Sequence, residues 1–434
     1  MPQQPISWGR WPRYTQSVSA LASRFDFLPN APHSILPFGN GRSYGDVCLI
    51  EGGLLVQTRR LDRFIEFDPA SGILECESGV LLSEIIELVL PQGWFPPVTP
   101  GTALVTVGGA IANDVHGKNY HRAASFAHHV LQFELCRSDG SRISCSRAAN
   151  SQWFEATAGG LGLTGLITRA RLQMRRVPGS WIRGSRQRFG SLDEFFVLSK
   201  QSDEGFEYTV AWVDCSASGK ALGRGLFIRG NHEAAEGPIG RHIPWRVPFT
   251  PPVSLVNGFS VSLLNQMYFR RGGAAQTDAL WRYRPFLFPL DGILNWNRLY
   301  GPRGFFQYQC VLPEREAPAA IREMLRRISR SGLGSFLSVL KNLGARPPLG
   351  MLSFARPGTT LALDFPNRGQ RTLTMLETLD EITREAGGAV YPAKDARMSA
   401  ASFQRYFPKW REFSEFIDPR FSSSFWRRVT GSGT

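Results

Sequence analysis

Pro37-Phe38-Gly39-Asn40-Gly41-Arg42-Ser43-Tyr44-Gly45-Asp46 leaves the apolar pair Ile35-Leu36 and decides how the first half of the chain folds. Its three glycines let the main chain come close to a ligand. Successive N–H groups in such a turn form a hollow that suits pyrophosphate oxygens. A doubly wound nucleotide fold would run from G-x-G-x-x-G directly into a helix. Val47-Cys48-Leu49-Ile50-Glu51-Gly52-Gly53 follows instead and has no helical spacing. By itself the motif is equally a plain turn, so its meaning depends on the rest of the chain.

Two further segments have the same texture. Pro96-Pro97-Val98-Thr99-Pro100-Gly101-Thr102 leads through Val105 into Thr106-Val107-Gly108-Gly109-Ala110-Ile111-Ala112-Asn113-Asp114-Val115-His116-Gly117-Lys118-Asn119. The third is Ala158-Gly159-Gly160-Leu161-Gly162-Leu163-Thr164-Gly165-Leu166-Ile167. Long runs of small residues are what a backbone pressed against a large flat cofactor requires, and three such runs in one region predict a dinucleotide site.

Outward from these motifs, short strands are expected at 54–58, 73–77, 131–136, 142–146 and 165–174. Leu81, Leu82, Ile85, Ile86, Val89 and Leu90 recur at helical spacing, and Pro91-Gln92-Gly93 stops that helix. Beyond Arg175-Arg176-Val177-Pro178-Gly179 longer alternating strands take over, at 207–214, 304–312, 335–341 and 360–365. Amphipathic helices are expected at 318–331, with Ile321, Leu325 and Ile328 inward, and at 372–386, closed by Gly387-Gly388. The class is therefore α+β, in two domains. The stretch 237–273 mixes prolines, apolar residues and arginines and reads as a long loop or loosely helical flap. It is either a lid or lipid-facing segment, or an ordinary covering loop with its apolar residues packed inward.

The 50 basic and 36 acidic side chains leave a formal charge of +14, which attracts anionic partners. Nucleic acid is not expected among them, since there is no zinc-finger spacing, basic helix or ribonucleoprotein signature. The six cysteines form no C-x-x-C pair and lie far apart, so neither a metal site nor a disulfide scaffold is expected. A two-residue hairpin at Asp139-Gly140 would set Cys136 opposite Ile143 and Cys145 opposite Glu134. No signal peptide or apolar span is legible, so a cytoplasmic location, peripheral at the inner membrane surface, is the expectation.

The glycine motifs in this order, with His116-Gly117-Lys118-Asn119, resemble the FAD-binding domain of the vanillyl-alcohol oxidase superfamily. Trp296-Asn297-Arg298, Tyr300-Gly301-Pro302, Gln307-Tyr308-Gln309, Lys341, Asp364-Phe365-Pro366 and Ala393-Lys394-Asp395 narrow the resemblance to the decaprenylphosphoryl-β-D-ribose oxidase family over nearly the whole chain. The resemblance implies a discontinuous FAD domain: 1–178 its first part, 179–388 a substrate domain with an antiparallel sheet and helices, 389–434 a return. It implies oxidation of the C2 hydroxyl of a polyprenyl-phosphoryl ribose to a ketone. A separate NAD(P)H-dependent keto-reductase would complete a 2-epimerisation toward the arabinose form. A soluble alditol, sugar or aldonolactone as substrate, and a non-catalytic flavin or anion binder, are the rival readings.

Residue by residue, the resemblance assigns Gly39, Asn40, Gly41, Arg42, Ser43, Tyr44, Gly45 and Asp46, with Pro100, Gly101, Thr102 and Val105, to the pyrophosphate and adenosine side of FAD. Gly108, Gly109, Ala112, Asn113, Val115, His116 and Gly117 go to the flavin and ribityl chain, and Gly162, Gly165 and Ile167 to the adenine end. Tyr391 and Lys394 would return to the ring, Lys394 stabilising charge at N1–C2=O; the plain alternative for Lys394 is a surface salt bridge with Asp395. His116 and Tyr44 join Lys394 as catalytic candidates, although His116 is equally a hydrogen-bonded core histidine. Lys118, Trp212, Gln307, Gln309, Lys341 and Ala362 are the substrate-binding candidates, with Lys341 set against the phosphate and Lys118 alternatively a solvated charge. Two departures stand out. Arg42 replaces the histidine of the superfamily's covalent members, so noncovalent FAD is expected, and Ala362 and Leu287 stand where the mycobacterial-type enzymes have cysteine and tyrosine.

Overall fold

A computed structural model describes residues 5–235, 244–272 and 276–431, and it is an α+β structure. Among the described residues, Ser17–Ala20, Leu54–Gln57 and Ile35–Phe38 form a small parallel sheet in that order. Phe64–Asp68, Ile73–Glu77, Leu166–Gln173, Val130–Cys136 and Arg142–Ser146 form an antiparallel one. The third sheet, also antiparallel, has eight strands, and its centre is Tyr208–Val213, Ser338–Asn342, Thr359–Pro366 and Phe305–Leu312.

The central strands explain where the site lies. Every residue of Phe305–Leu312 and Thr359–Pro366 is buried, so neither face of this part of the sheet meets solvent. Alternation divides the faces: Phe306, Tyr308, Cys310, Leu361, Leu363 and Phe365 enter a core beneath the helices Ala317–Ser331 and Gln370–Glu385. Gln307, Gln309 and Ala362 look the other way, into a cleft. The register sets Gln307 opposite Asp364, Gln309 opposite Ala362, and Lys341 opposite Thr360.

The chain's end returns to its beginning. After Ala389–Val390 pairs with the Phe305–Leu312 strand, Ile35 donates its N–H to Arg420 and accepts from Ser422, and Glu51 donates to the Ser424 hydroxyl. Arg428, on the helix Ser424–Thr430, holds both Asp46 and Asp395.

Two expectations change. The loop at 237–273 contains a formed helix, Gly258–Arg271, whose N-terminus is capped by Asn257: its Oδ1 accepts from the N–H groups of Phe259 and Ser260. The parts at 237–243 and 273 lie outside the described residues. The hairpin after Val130–Cys136 has a three-residue loop, closed by Arg137 N–H on Ser141 O, with Gly140 at φ 86°. Cys136 therefore faces Arg142, and Cys145 faces Phe133, one step from the expected register. All six cysteines are free thiols. No described helix is long and apolar enough to cross a membrane.

Candidate active site

The cleft runs between the glycine-rich segments and the inner face of the large sheet. All the candidate residues line it except Gly45 and Asp46. Those two face the protein itself: a Cβ on Gly45 would lie 1.8 Å from the carbonyl oxygen of Asp395. Both oxygens of Asp46 accept from Arg428, at 2.8 and 3.0 Å. The end of the first motif is thus a socket for the returning C-terminal segment, not a grip on a cofactor.

The remaining glycines divide by what they face. A Cβ on Gly39 would meet the Thr106 side chain at 2.5 Å, and one on Gly117 the Thr99 carbonyl at 2.6 Å, so these positions permit chain to pack on chain. Gly101 has nothing within 4 Å, and Gly162 (φ 77°) only Pro37 at 3.9 Å, although both line the cleft. Those two are where the main chain is open to a ligand.

The cleft has unmet polar demand. Arg42 Nε, Ser78 Oγ, Asn113 Oδ1 and His116 Nδ1 are buried, lie on residues that line it, and have no hydrogen-bond partner within the protein. Buried polar atoms ordinarily find partners, so orphans spread along one cleft point to an extended polar ligand. A dinucleotide satisfies this, and the bare main chain at Gly101 and Gly162 accommodates it. The FAD fits the residues present: Arg42, whose guanidinium stacks on Trp8 at 4.2 Å, offers no imidazole for a covalent bond.

Lys394 stands on the turn Pro392–Lys394, with its ammonium 3.8 Å from the centre of the Tyr44 ring. The surface ion pair with Asp395 does not form, because Asp395 accepts from Arg428 and from the N–H groups of Arg397 and Met398. Burial brings the Lys394 ammonium down to about 7; Asp364 opposes that shift and Lys341 adds to it. Next to it Tyr391 stacks on Phe354 at 4.5 Å and donates its hydroxyl to Asn113 O.

His116 accepts at Nε2 from Gln309 Nε2 at 2.8 Å, and Gln309 also donates to the Thr360 hydroxyl. Burial, with Lys341 and Lys394 nearby, holds this imidazole well below its usual value, so it is neutral with its proton at Nδ1. It is a buried, bonded histidine that still presents an unpartnered N–H, which joins the two sequence readings. Lys118 is no free solvated charge: it is half-buried, donates to Phe286 O, and is brought down to about 7 by desolvation and then by Lys341. Lys341, 3.4 Å from Gly117 O, is brought to about 8 by desolvation. Trp212 walls the same side, its indole N–H on Phe336 O. Among the described residues none of these three lysines has a carboxylate within 4 Å.

Sequence reasoning did not assign Asp364. It is wholly buried, accepts from Gln307 Nε2 at 2.6 Å, and burial pushes its carboxyl up to about 7. Period-2 alternation from Ala362 was the signal that would have found it. Trp8 and Asp291, which line the cleft themselves, whereas Asp364 stands behind Gln307, come from distant segments and leave no local signal.

The FAD binding domain family model matches residues 13–146. A decaprenylphosphoryl-β-D-ribose oxidase of Mycolicibacterium smegmatis is 34% identical over 412 residues, 91% of this chain and 89% of that one. An uncharacterized protein in the mprA 5′ region of Streptomyces coelicolor is 33% identical over 372 residues, 81% of this chain and all of that one. Cytokinin dehydrogenase 7 of Oryza sativa subsp. japonica is 28% identical over 208 residues, 46% of this chain and 40% of that one. The likeness to the plant enzyme covers about half the chain, whereas the mycobacterial likeness covers nearly all of it. With an FAD-binding segment, a cleft that fits the dinucleotide and half-buried lysines along it, the chain is an FAD-dependent oxidoreductase and belongs to the decaprenylphosphoryl-β-D-ribose oxidase family.

Proposed function

We propose that the protein oxidises the C2 hydroxyl of a polyprenyl-phosphoryl pentose, decaprenylphosphoryl-β-D-ribose or a close analogue, to the keto sugar. The observation that carries this reading is the set of three half-buried, desolvated lysines, 118, 341 and 394, that line one cleft and, among the described residues, have no carboxylate within 4 Å. Burying an ammonium is costly unless an anion meets it. A neutral alditol or aldonolactone brings no such anion, whereas a phosphoryl sugar does.

When bound, FAD would supply the two-electron acceptor for the hydride that leaves the carbinol carbon, while the hydroxyl proton passes to water. The chain positions the other participants. Lys341 and Lys118 hold the substrate phosphate as point charges, and Gln307 and Gln309, fixed by Asp364 and by Thr360 and His116, present amides to the sugar. Lys394 holds positive charge where negative charge develops. Trp212 excludes water from the substrate side.

The ketone formed is the first half of a 2-epimerisation, and a separate NAD(P)H-dependent reductase completes it. The vanillyl-alcohol oxidase type of the fold, with residues 389–434 returning to the FAD domain, belongs to the same reading. Its test is product analysis with radiolabelled lipid-phosphoryl ribose, the protein and an electron acceptor, followed by borohydride. Recovery of both ribose and arabinose epimers is expected; ribose alone, beside rapid turnover of a free polyol, would reverse the assignment.

A further inference from the structure

We infer that the outer face of the helix Gly258–Arg271, together with the segment leading into it, docks on an anionic lipid bilayer. It thereby sets the substrate side of the cleft against the membrane.

The helix turns large apolar side chains to the outside as well as to the core. Phe259, Leu263 and Met267 recur at i, i+4 and i+8 with Leu264 beside them, and they are exposed at 80%, 50%, 40% and 47%. The inward side is fastened by Val261, buried in a cluster with Tyr300 and Phe305, and by Asn265, whose Nδ2 donates to Asp214 Oδ1 and Ser335 O, both at 3.2 Å. The cap at Asn257 and the bonds from Arg188 to the carbonyls of Phe269 and Arg270 fix both ends. A helix so tied down that still leaves Phe259, Leu263, Leu264 and Met267 exposed is presenting them. Upstream, Trp245, Phe249, Val253 and Leu255 extend the exposed apolar surface. A contiguous patch of this kind marks an interaction surface.

Charge selects the occupant. From residue 244 to 272 the sequence contains no aspartate or glutamate, while Arg246, Arg270 and Arg271 are exposed. A second copy of the chain would bring like charges together on a molecule already at +14. An anionic bilayer offers an apolar boundary for the aromatic and aliphatic side chains and headgroups for the arginines. Position gives the surface its use: Tyr268 packs on Trp212 at 4.8 Å, and both line the cleft. Trp245 pairs with Ile293, another lining residue. Docking would therefore hold the mouth at the depth where a lipid-linked phosphate lies, which rests on the substrate proposed above.

Flotation of the holoenzyme with phosphatidylcholine vesicles, and with vesicles containing phosphatidylglycerol, tests this. The wild type should float with the anionic vesicles and release as salt rises. Phe259→Glu with Leu263→Glu should weaken that binding by about tenfold or more while keeping flavin colour and bleaching by a short-chain phosphoryl ribose. Neither residue lines the cleft. A wild type that stays in the aqueous phase, or a double variant that floats equally well, overturns the inference. So does a dimer that the double variant dissolves without any vesicle binding. Vesicle binding without turnover of any lipid-linked sugar would leave the docking intact and remove the substrate reading instead.

Discussion

Lys394 is the residue on which the chemistry depends most. It packs half-buried on the Tyr44 ring, and among the groups that face it, Asp364 favours its charge while Lys341 opposes it. His116, kept neutral, and the Tyr44 phenol, pushed well up by burial, add no competing charge. Lys394→Ala should slow anaerobic flavin reduction by roughly 10²–10³-fold, the size expected for one preorganised donor, with the fold intact by circular dichroism. Near-normal reduction would exclude the electrostatic role. Asp364 acts through Lys394 and Gln307, so Asp364→Asn tests a positioning role. Loss of its carboxylate lowers the Lys394 value further below about 7, so the limb of the reduction rate that falls with rising pH should move to lower pH. Asp364→Glu should restore it. Because Asp364 itself sits at about 7, the two titrate as a pair, and an unmoved limb in the Asn variant contradicts the coupling.

Among elements, the glycine-rich segments do two jobs that separate by mutation. Gly101→Val should leave the melting temperature near wild type and lower the FAD retained on purification, because its side chain would enter the cleft. Gly45→Ala should lower the melting temperature instead, since its Cβ collides with Asp395. Equal melting temperatures for the two would contradict the division. Arg428→Met removes the cation between two carboxylates that are almost wholly buried, and should cost about 3 kcal/mol or more in denaturant unfolding. These distinctions were not legible in the sequence, where a glycine that meets a ligand looks like one that meets a backbone. The regular elements were legible, because Ile321, Leu325 and Ile328, or Phe306, Tyr308 and Cys310, repeat with the period of their own secondary structure. The helix Gly258–Arg271 was legible only as a long loop or loosely helical flap, because large apolar residues face out and only Val261 and Asn265 are buried.

At the scale of the molecule, the chain was informative where motif and family pattern coincide, and silent where the site is assembled from far apart. Lys118, His116, Lys341 and Lys394 could each be named from their motifs, but not that they would share one cleft. Trp8 stacks on Arg42, and Asp291 accepts from Ala103 N–H, across separations that no local period spans. Taken together, the desolvated lysines, the orphaned polar atoms and the bare main chain at Gly101 and Gly162 describe a receptacle for a dinucleotide and an anionic alcohol side by side. The most direct test is anaerobic titration of the purified yellow protein with a polyprenyl-phosphoryl ribose, watched in the flavin absorbance band. Stoichiometric bleaching by that substrate, and none by free ribose or an alditol at equal concentration, is the predicted result. Colour that the phosphoryl sugar leaves untouched, or a protein colourless even after reconstitution with excess FAD, would contradict the account.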